Sequence, residues 1–233
     1  MLQNRGFAIG PCCPSAAVAA DLPGRQRLPG WLIVGAAARN AGKTEFACAL
    51  IKEFHRRHAV VGVKVTAITD GESKCPRGGE GCGVCAAFEG DFHIVEETGE
   101  ARGKDTARML ESGASRVFWI RCRRQRIHAA LKALAPRLGP GVLVVAESNS
   151  LARAIEPDLF LMVKDARCSS VKASAAEVMP LANRVVVSTD GVFDLSPRRH
   201  LAVVDGAWHL AEASAAILAG ASSHLEARLG TET

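Results

Sequence analysis

Three groups of residues carry side chains and spacings suited to chemistry. The first lies in Gly35-Ala-Ala-Ala-Arg-Asn-Ala-Gly42-Lys43-Thr44. Glycine, lysine and a hydroxyl residue at a strand-to-helix junction let backbone N–H groups wrap a phosphate, helped by the helix dipole. On that reading Asn40, Ala41 and Gly42 line the phosphates of GTP or ATP, and Lys43 reaches the β- and γ-phosphates. Thr44 offers its hydroxyl to Mg²⁺. Ala37 stands where the usual pattern has its first glycine. An ordinary strand-to-helix turn is the bland alternative.

The second group is Cys75-Pro-Arg-Gly-Gly-Glu-Gly-Cys82-Gly-Val-Cys85, three thiols in a glycine-rich stretch. Cys82 and Cys85, two residues apart, suit one metal ion or one cluster, and the glycines let the chain curl so that thiolates converge. Zinc or an iron–sulfur cluster is expected, with thiol redox chemistry as the alternative. A structural zinc takes four ligands. The fourth could come from Cys168, Cys122, the Cys12-Cys13 pair or His93. Alternatively an iron–sulfur cluster sits on the three cysteines, or bridges Cys82 and Cys85 of two subunits. Cys48 reads as a core residue. Cys122 lies in Arg121-Cys-Arg-Arg-Gln-Arg126, which reads first as a solvated basic face, with a thiol pKa lowered by the positive charge as the alternative.

The third group is acidic. Bound Mg²⁺ needs a carboxylate nearby, directly or through water. Glu147 ends a buried strand and is the first choice; Asp70 and Asp105 are further candidates. A plain helix N-terminal acid is the alternative for Glu147 and, on the residues alone, the better reading of Asp105. Lys104 is either a phosphate or ligand contact or a solvated side chain. Asp190, in Thr189-Asp190-Gly191, could accept hydrogen bonds from guanine N1 and N2, although a Thr-Asp-Gly turn explains the same residues. No Asn-Lys-x-Asp guanine motif is present.

These groups need a frame. Trp31–Val34 reads as a strand, Glu45–Arg57 as an amphipathic helix and Ala59–Thr66 as a valine-rich strand. Further helices are expected at Lys104–Ser112, at Arg126–Ala135 (ending near Pro136) and near Ser170–Met179. Strands are expected at Arg116–Ile120, Val142–Ala146, Leu159–Val163 and Arg184–Ser188. His200–Val204 reads as an edge strand and Ala207–Leu225 as a terminal helix. Alternation of this kind predicts an α/β fold, a doubly wound, mostly parallel sheet of the P-loop NTPase type. Residues 1–29 read as a flexible extension, 30–233 as one nucleotide-binding domain, and about 70–95 as its cysteine-rich insertion.

A second stretch extends the motif evidence. Gly103-Lys104-Asp105-Thr106-Ala107-Arg108, followed by Glu111-Ser112-Gly113-Ala114, resembles a segment of the molybdopterin-guanine dinucleotide biosynthesis protein B (MobB) family. Val63-Lys64, the strand Val144-Val145-Ala146-Glu147 and the stretches 158–165 and 185–190 fit its order, so the resemblance covers about residues 31–192. Two departures stand out. Ser148-Asn149 follows Glu147 where the family has glycine, and the simpler members lack the cysteine insertion. The resemblance implies a GTP-binding, dimeric, weakly hydrolysing accessory protein, with a molybdopterin-type cofactor or a metalloenzyme client as partner.

Composition bounds these expectations. The chain has 233 residues, of which 48% are apolar and 23% charged, enough for one substantial core. No apolar run suffices to cross a bilayer and no secretory signal is evident, so a cytoplasmic protein is expected. There 8 cysteines read as ligands or redox thiols, not as a disulfide framework. A net charge of +5, from 29 basic and 24 acidic residues, is too small to call for nucleic acid. The rival readings are a nucleotide-gated iron–sulfur redox protein and a small-molecule kinase.

Overall fold

A computed structural model describes residues 24–68, 88–100 and 103–211. It contains a mixed sheet of 8 strands in the order β3-β4-β2-β5-β1-β6-β7-β8. These are β1 (Gln26–Ala36), β2 (Val60–Ile68), β3 (Phe92–Glu96), β4 (Arg116–Arg123), β5 (Leu143–Glu147), β6 (Ile155–Asp165), β7 (Arg184–Thr189) and β8 (Val192–Phe193). Neighbouring strands from β4 to β7 pair in parallel, and only the outer β3 and β8 run antiparallel. The protein is thus α/β with a mostly parallel sheet.

Parallel central strands are covered on both faces and so read as apolar runs. β5, Leu-Val-Val-Ala-Glu, is buried at every position. On one face lie α1 (Lys43–Phe54) and α2 (Asp105–Glu111). Phe46, Ala47, Leu50, Ile51 and Phe54 form the buried stripe of α1, at helical spacing, against Leu32, Val34 and Val145. The opposite face is covered by α3 (Ile127–Leu138), by a 3₁₀ turn at Ser150–Arg153, and by the short α4 (Ala173–Ala176).

Several boundaries differ from the sequence expectation. β1 starts at Gln26, inside the stretch expected to be an extension, because that segment pairs with the first half of β6. The pairing slips between Leu28 and Leu32, and there Asp158 Oδ2 accepts the Gly30 N–H at 2.7 Å. The slip explains why the strand has no single apolar period. β3 falls at the end of the expected insertion; its five residues alternate in burial, too short a run to stand out. α3 continues through Pro136 to Leu138. Lys132 and Pro136 both face solvent, so the carbonyl that proline leaves unpaired can bind water. The helix near 170–179 shrinks to Ala173–Ala176 plus a 3₁₀ turn.

The expected helix at 207–225 is corrected over its first residues. β10 (Ala207–Leu210) pairs antiparallel with β9 (Leu201–Val204), just after the short α5 (Pro197–His200). Asp205-Gly206, with φ of 51° and 75°, makes the two-residue turn that favours a hairpin over a helix. Trp208 is buried against Phe54 and its indole N–H donates to the Gly30 carbonyl at 3.0 Å. The remainder of that expected helix lies outside the described residues.

Candidate functional site

The sheet order places a crevice at one point. β1 and β5 are neighbours, but the chain leaves β1 for α1 on one face and leaves β5 for the 3₁₀ turn on the other. Beyond the carboxyl ends of such a strand pair, ligands of open α/β sheets bind. Parallel register brings Glu147 level with Val34 on one side and with Lys64 on the other.

The loop between β1 and α1 is held from several directions. Ala37 N–H donates to the Val163 carbonyl at 2.8 Å. Ala37 does not have the left-handed φ that would require glycine, so its replacement of the usual first glycine needs no backbone compensation. Asn40 takes a φ of 55° and is exposed, and Ala41 is buried. Gly42 has a φ of 89°, and a Cβ there would meet the Phe193 ring at 3.3 Å. The left-handed conformation therefore favours glycine immediately before α1, and the Phe193 ring leaves little room for a side chain there. Phe193 in turn packs edge-on against Phe46 of that helix, with centroids 4.9 Å apart.

At the start of α1 sits a compact charge cluster. Lys43 Nζ lies 2.7 Å from Glu147 Oε1, and Thr44 Oγ1 donates to Glu147 Oε2 at 2.9 Å. Lys64 bonds Asp105 and stands 3.8 Å from Glu147. Glu147 is only 2% exposed, against 24% for Lys43 and 13% for Lys64. A carboxylate this deeply placed is costly to bury without such partners. Burial pushes the Asp105 carboxyl up. The bond and charge of Lys64, the charge of Lys43 and a hydrogen bond with Thr44 more than reverse that, leaving it below its usual value.

The structure thus brings Gly42, Lys43, Thr44, Asp105 and Glu147 together. Lys104, the residue before α2, is exposed and outside this cluster. Asp190 is also exposed, with a φ of 50° in the tight β7–β8 turn, and lies 2.8 Å from Arg167. Asp70, Cys75, Cys82 and Cys85 lie outside the described residues. Among the described residues no group of three His, Cys, Asp or Glu side chains can hold a metal ion. His93, considered as a fourth ligand, has its Nε2 against the Glu89 carbonyl at 2.7 Å.

For Cys122 it is the lowered-pKa alternative that is corrected. The neighbouring arginines do not lower its pKa; burial pushes the thiol up to about 11. Alternation along β4 explains this, since Cys122 points into the core while Arg121 and Arg123 point away. Cys48, expected in the core, is half-buried and packs against it.

Three residues gain a place at the site that the sequence reading does not give them. Lys64 is the one charge in the apolar strand Val-Val-Gly-Val-Lys-Val-Thr-Ala-Ile, a signal that was present. Asn149, buried, donates to the Ala36 carbonyl at 3.0 Å and accepts the Ala36 N–H at 2.8 Å. It thereby clamps the end of β1 just where the loop begins. Lys172 donates its backbone N–H to the Ala37 carbonyl at 2.9 Å, a tie with no sequence signature.

Among the described residues no helix is long and apolar enough to cross a membrane. Comparison of the chain with protein-family models, with curated proteins and with solved structures found no match.

Proposed function

We propose that this chain is a P-loop protein that binds a nucleoside triphosphate, GTP before ATP, and hydrolyses it weakly. The observation that carries this reading is the Lys43–Glu147 pair at 2.7 Å, with Thr44 on the second carboxylate oxygen, directly behind a left-handed glycine. An ordinary strand-to-helix turn has no need to sink a carboxylate beneath its first helical turn and surround it with cations.

Support for Mg²⁺ comes from the donor chemistry. Thr44, Asp105 and Glu147 offer one hydroxyl and two carboxylates, the hard oxygen ligands this ion prefers. Bound there, the ion neutralises phosphate charge. Lys43 and Thr44 occupy the two oxygens of Glu147. Lys43 is free to turn to phosphate because Lys64, at 3.8 Å, keeps a positive charge beside Glu147. Glu147 then orients or deprotonates the attacking water.

The resemblance to the MobB family supports the choice of GTP and a role, as a cytoplasmic homodimer, in attaching a nucleotide to molybdenum cofactor or in delivering a metallocofactor to a client enzyme. Cys75, Cys82 and Cys85 are the proposed thiolate ligands of zinc or an iron–sulfur cluster; the connection carrying them follows β2, the strand of Lys64. Anaerobic purification followed by iron, sulfide and zinc analysis tests that part.

The nucleotide reading is tested by titrating GTP with and without Mg²⁺ into the wild type and Thr44→Ala. Wild type should bind more tightly with the ion, and the variant should lose about ten-fold of that gain while keeping its metal-free affinity. Equal losses under both conditions would remove Thr44 from the metal site.

A further inference from the structure

Beyond β6 the chain returns to the phosphate loop. Ala37, the first loop residue, gives its N–H to the Val163 carbonyl at 2.8 Å and takes the Lys172 N–H on its own carbonyl at 2.9 Å. Lys172 is thereby fixed beside the loop, just ahead of α4, with its side chain half-buried. Burial, and then the charges of Lys43 and Arg39, push its ammonium below the usual lysine range, while Glu147 acts in the opposite direction. Glu147 is already engaged by Lys43 at 2.7 Å and Thr44 at 2.9 Å. Asp105, the other carboxylate of the cluster, is taken by Lys64. Among the described residues Lys172 makes no ion pair of its own. A half-buried ammonium crowded by cations, where the carboxylate that attracts it is already paired with another lysine, is relieved by an incoming anion.

Building on the nucleotide reading, we propose that Lys172 is a second phosphate-binding lysine. It reaches the terminal phosphate of a nucleoside triphosphate from the β6 side of the loop, opposite Lys43 on α1. The site thereby selects triphosphate over diphosphate, because the terminal phosphate is the group that a diphosphate lacks. A charge-assisted bond to a phosphate oxygen is among the stronger polar contacts and is lost whole when that phosphate is missing.

The test uses full-length wild type, Lys172→Met and Lys172→Arg, titrated with fluorescent N-methylanthraniloyl GTP and GDP in the presence of Mg²⁺. Wild type should prefer GTP. Lys172→Met should lose about ten-fold or more in GTP affinity but change by less than about two-fold for GDP. Lys172→Arg should keep most of the preference for GTP. Removing a cation beside Lys43 and Arg39 relieves repulsion, so Lys172→Met without ligand should melt no lower than wild type. An equal loss for both nucleotides, no loss for either, or a lower melting temperature overturns the assignment of Lys172. A wild type that binds neither nucleotide overturns the nucleotide reading first, and this inference with it.

Discussion

Thr44 Oγ1 donates a 2.9 Å hydrogen bond to Glu147 Oε2 across 103 residues of chain. The bond joins the first turn of α1 to the end of β5, and it exists because parallel pairing sets β5 directly beside β1. With Lys43 on the other oxygen, Glu147 becomes the hub through which loop, helix and sheet meet.

That hub makes the consequence of Glu147→Gln two-sided. Hydrolysis should fall while nucleotide binding largely survives, since the proposed phosphate contacts are Lys43 and backbone N–H groups. Without ligand the variant should be less stable, by about 1–3 kcal/mol, because Lys43 and Lys64 lose their shared counter-charge. Turnover assays and thermal denaturation read the two effects separately. Unchanged turnover would return Glu147 to a purely structural role.

Asn149→Ala should damage the loop without touching phosphate. It leaves the Ala36 N–H and carbonyl without the partners that now bond them at 2.8 and 3.0 Å. The expected loss is about 2 kcal/mol or more of stability, together with weaker nucleotide binding. Gly35 adds to the case, since a Cβ there would lie 3.0 Å from Asn149 Oδ1. Wild-type stability and affinity in this variant would show that the clamp has no role.

Cys122 should resist alkylation in the folded protein. Its thiol is buried and pushed up to about 11, so little thiolate exists at pH 8. Burial also raises the Cys48 pKa, though the Ser112 hydrogen bond and Arg108 oppose it. With iodoacetamide and peptide mass mapping, the partly exposed Cys168 should react before either. Early modification of Cys122 would contradict its place in the core.

Much of this site was legible in the sequence, for physical reasons that can be named. Gly42-Lys43-Thr44 was readable because the loop chemistry is local, and Glu147 because an acid ending an apolar strand stands out, with a helix N-terminal charge as its plain alternative. Lys64 was readable by the same logic, as a lone charge in an apolar strand. Asn149 and Lys172 were not, since their partners Ala36 and Ala37 are distant in sequence and the bonds are to backbone, which carries no residue code. Among the elements, the slipped pairing at Leu28–Leu32 hid the start of β1. The Asp205-Gly206 turn was a hairpin signal that the alanine-rich sequence after it outweighed.

The central claim is that Lys43 serves phosphate. Isothermal titration of Mg·GTP and Mg·ATP into wild type and Lys43→Ala tests it most directly, with circular dichroism to establish that the variant is folded. Lys43 is 24% exposed, and in the variant Lys64 and Thr44 still partner Glu147, so its removal should lower stability without unfolding the protein. The account predicts binding to the wild type and a loss of about 100-fold or more in the variant. A folded Lys43→Ala protein that keeps wild-type affinity for both nucleotides would contradict it.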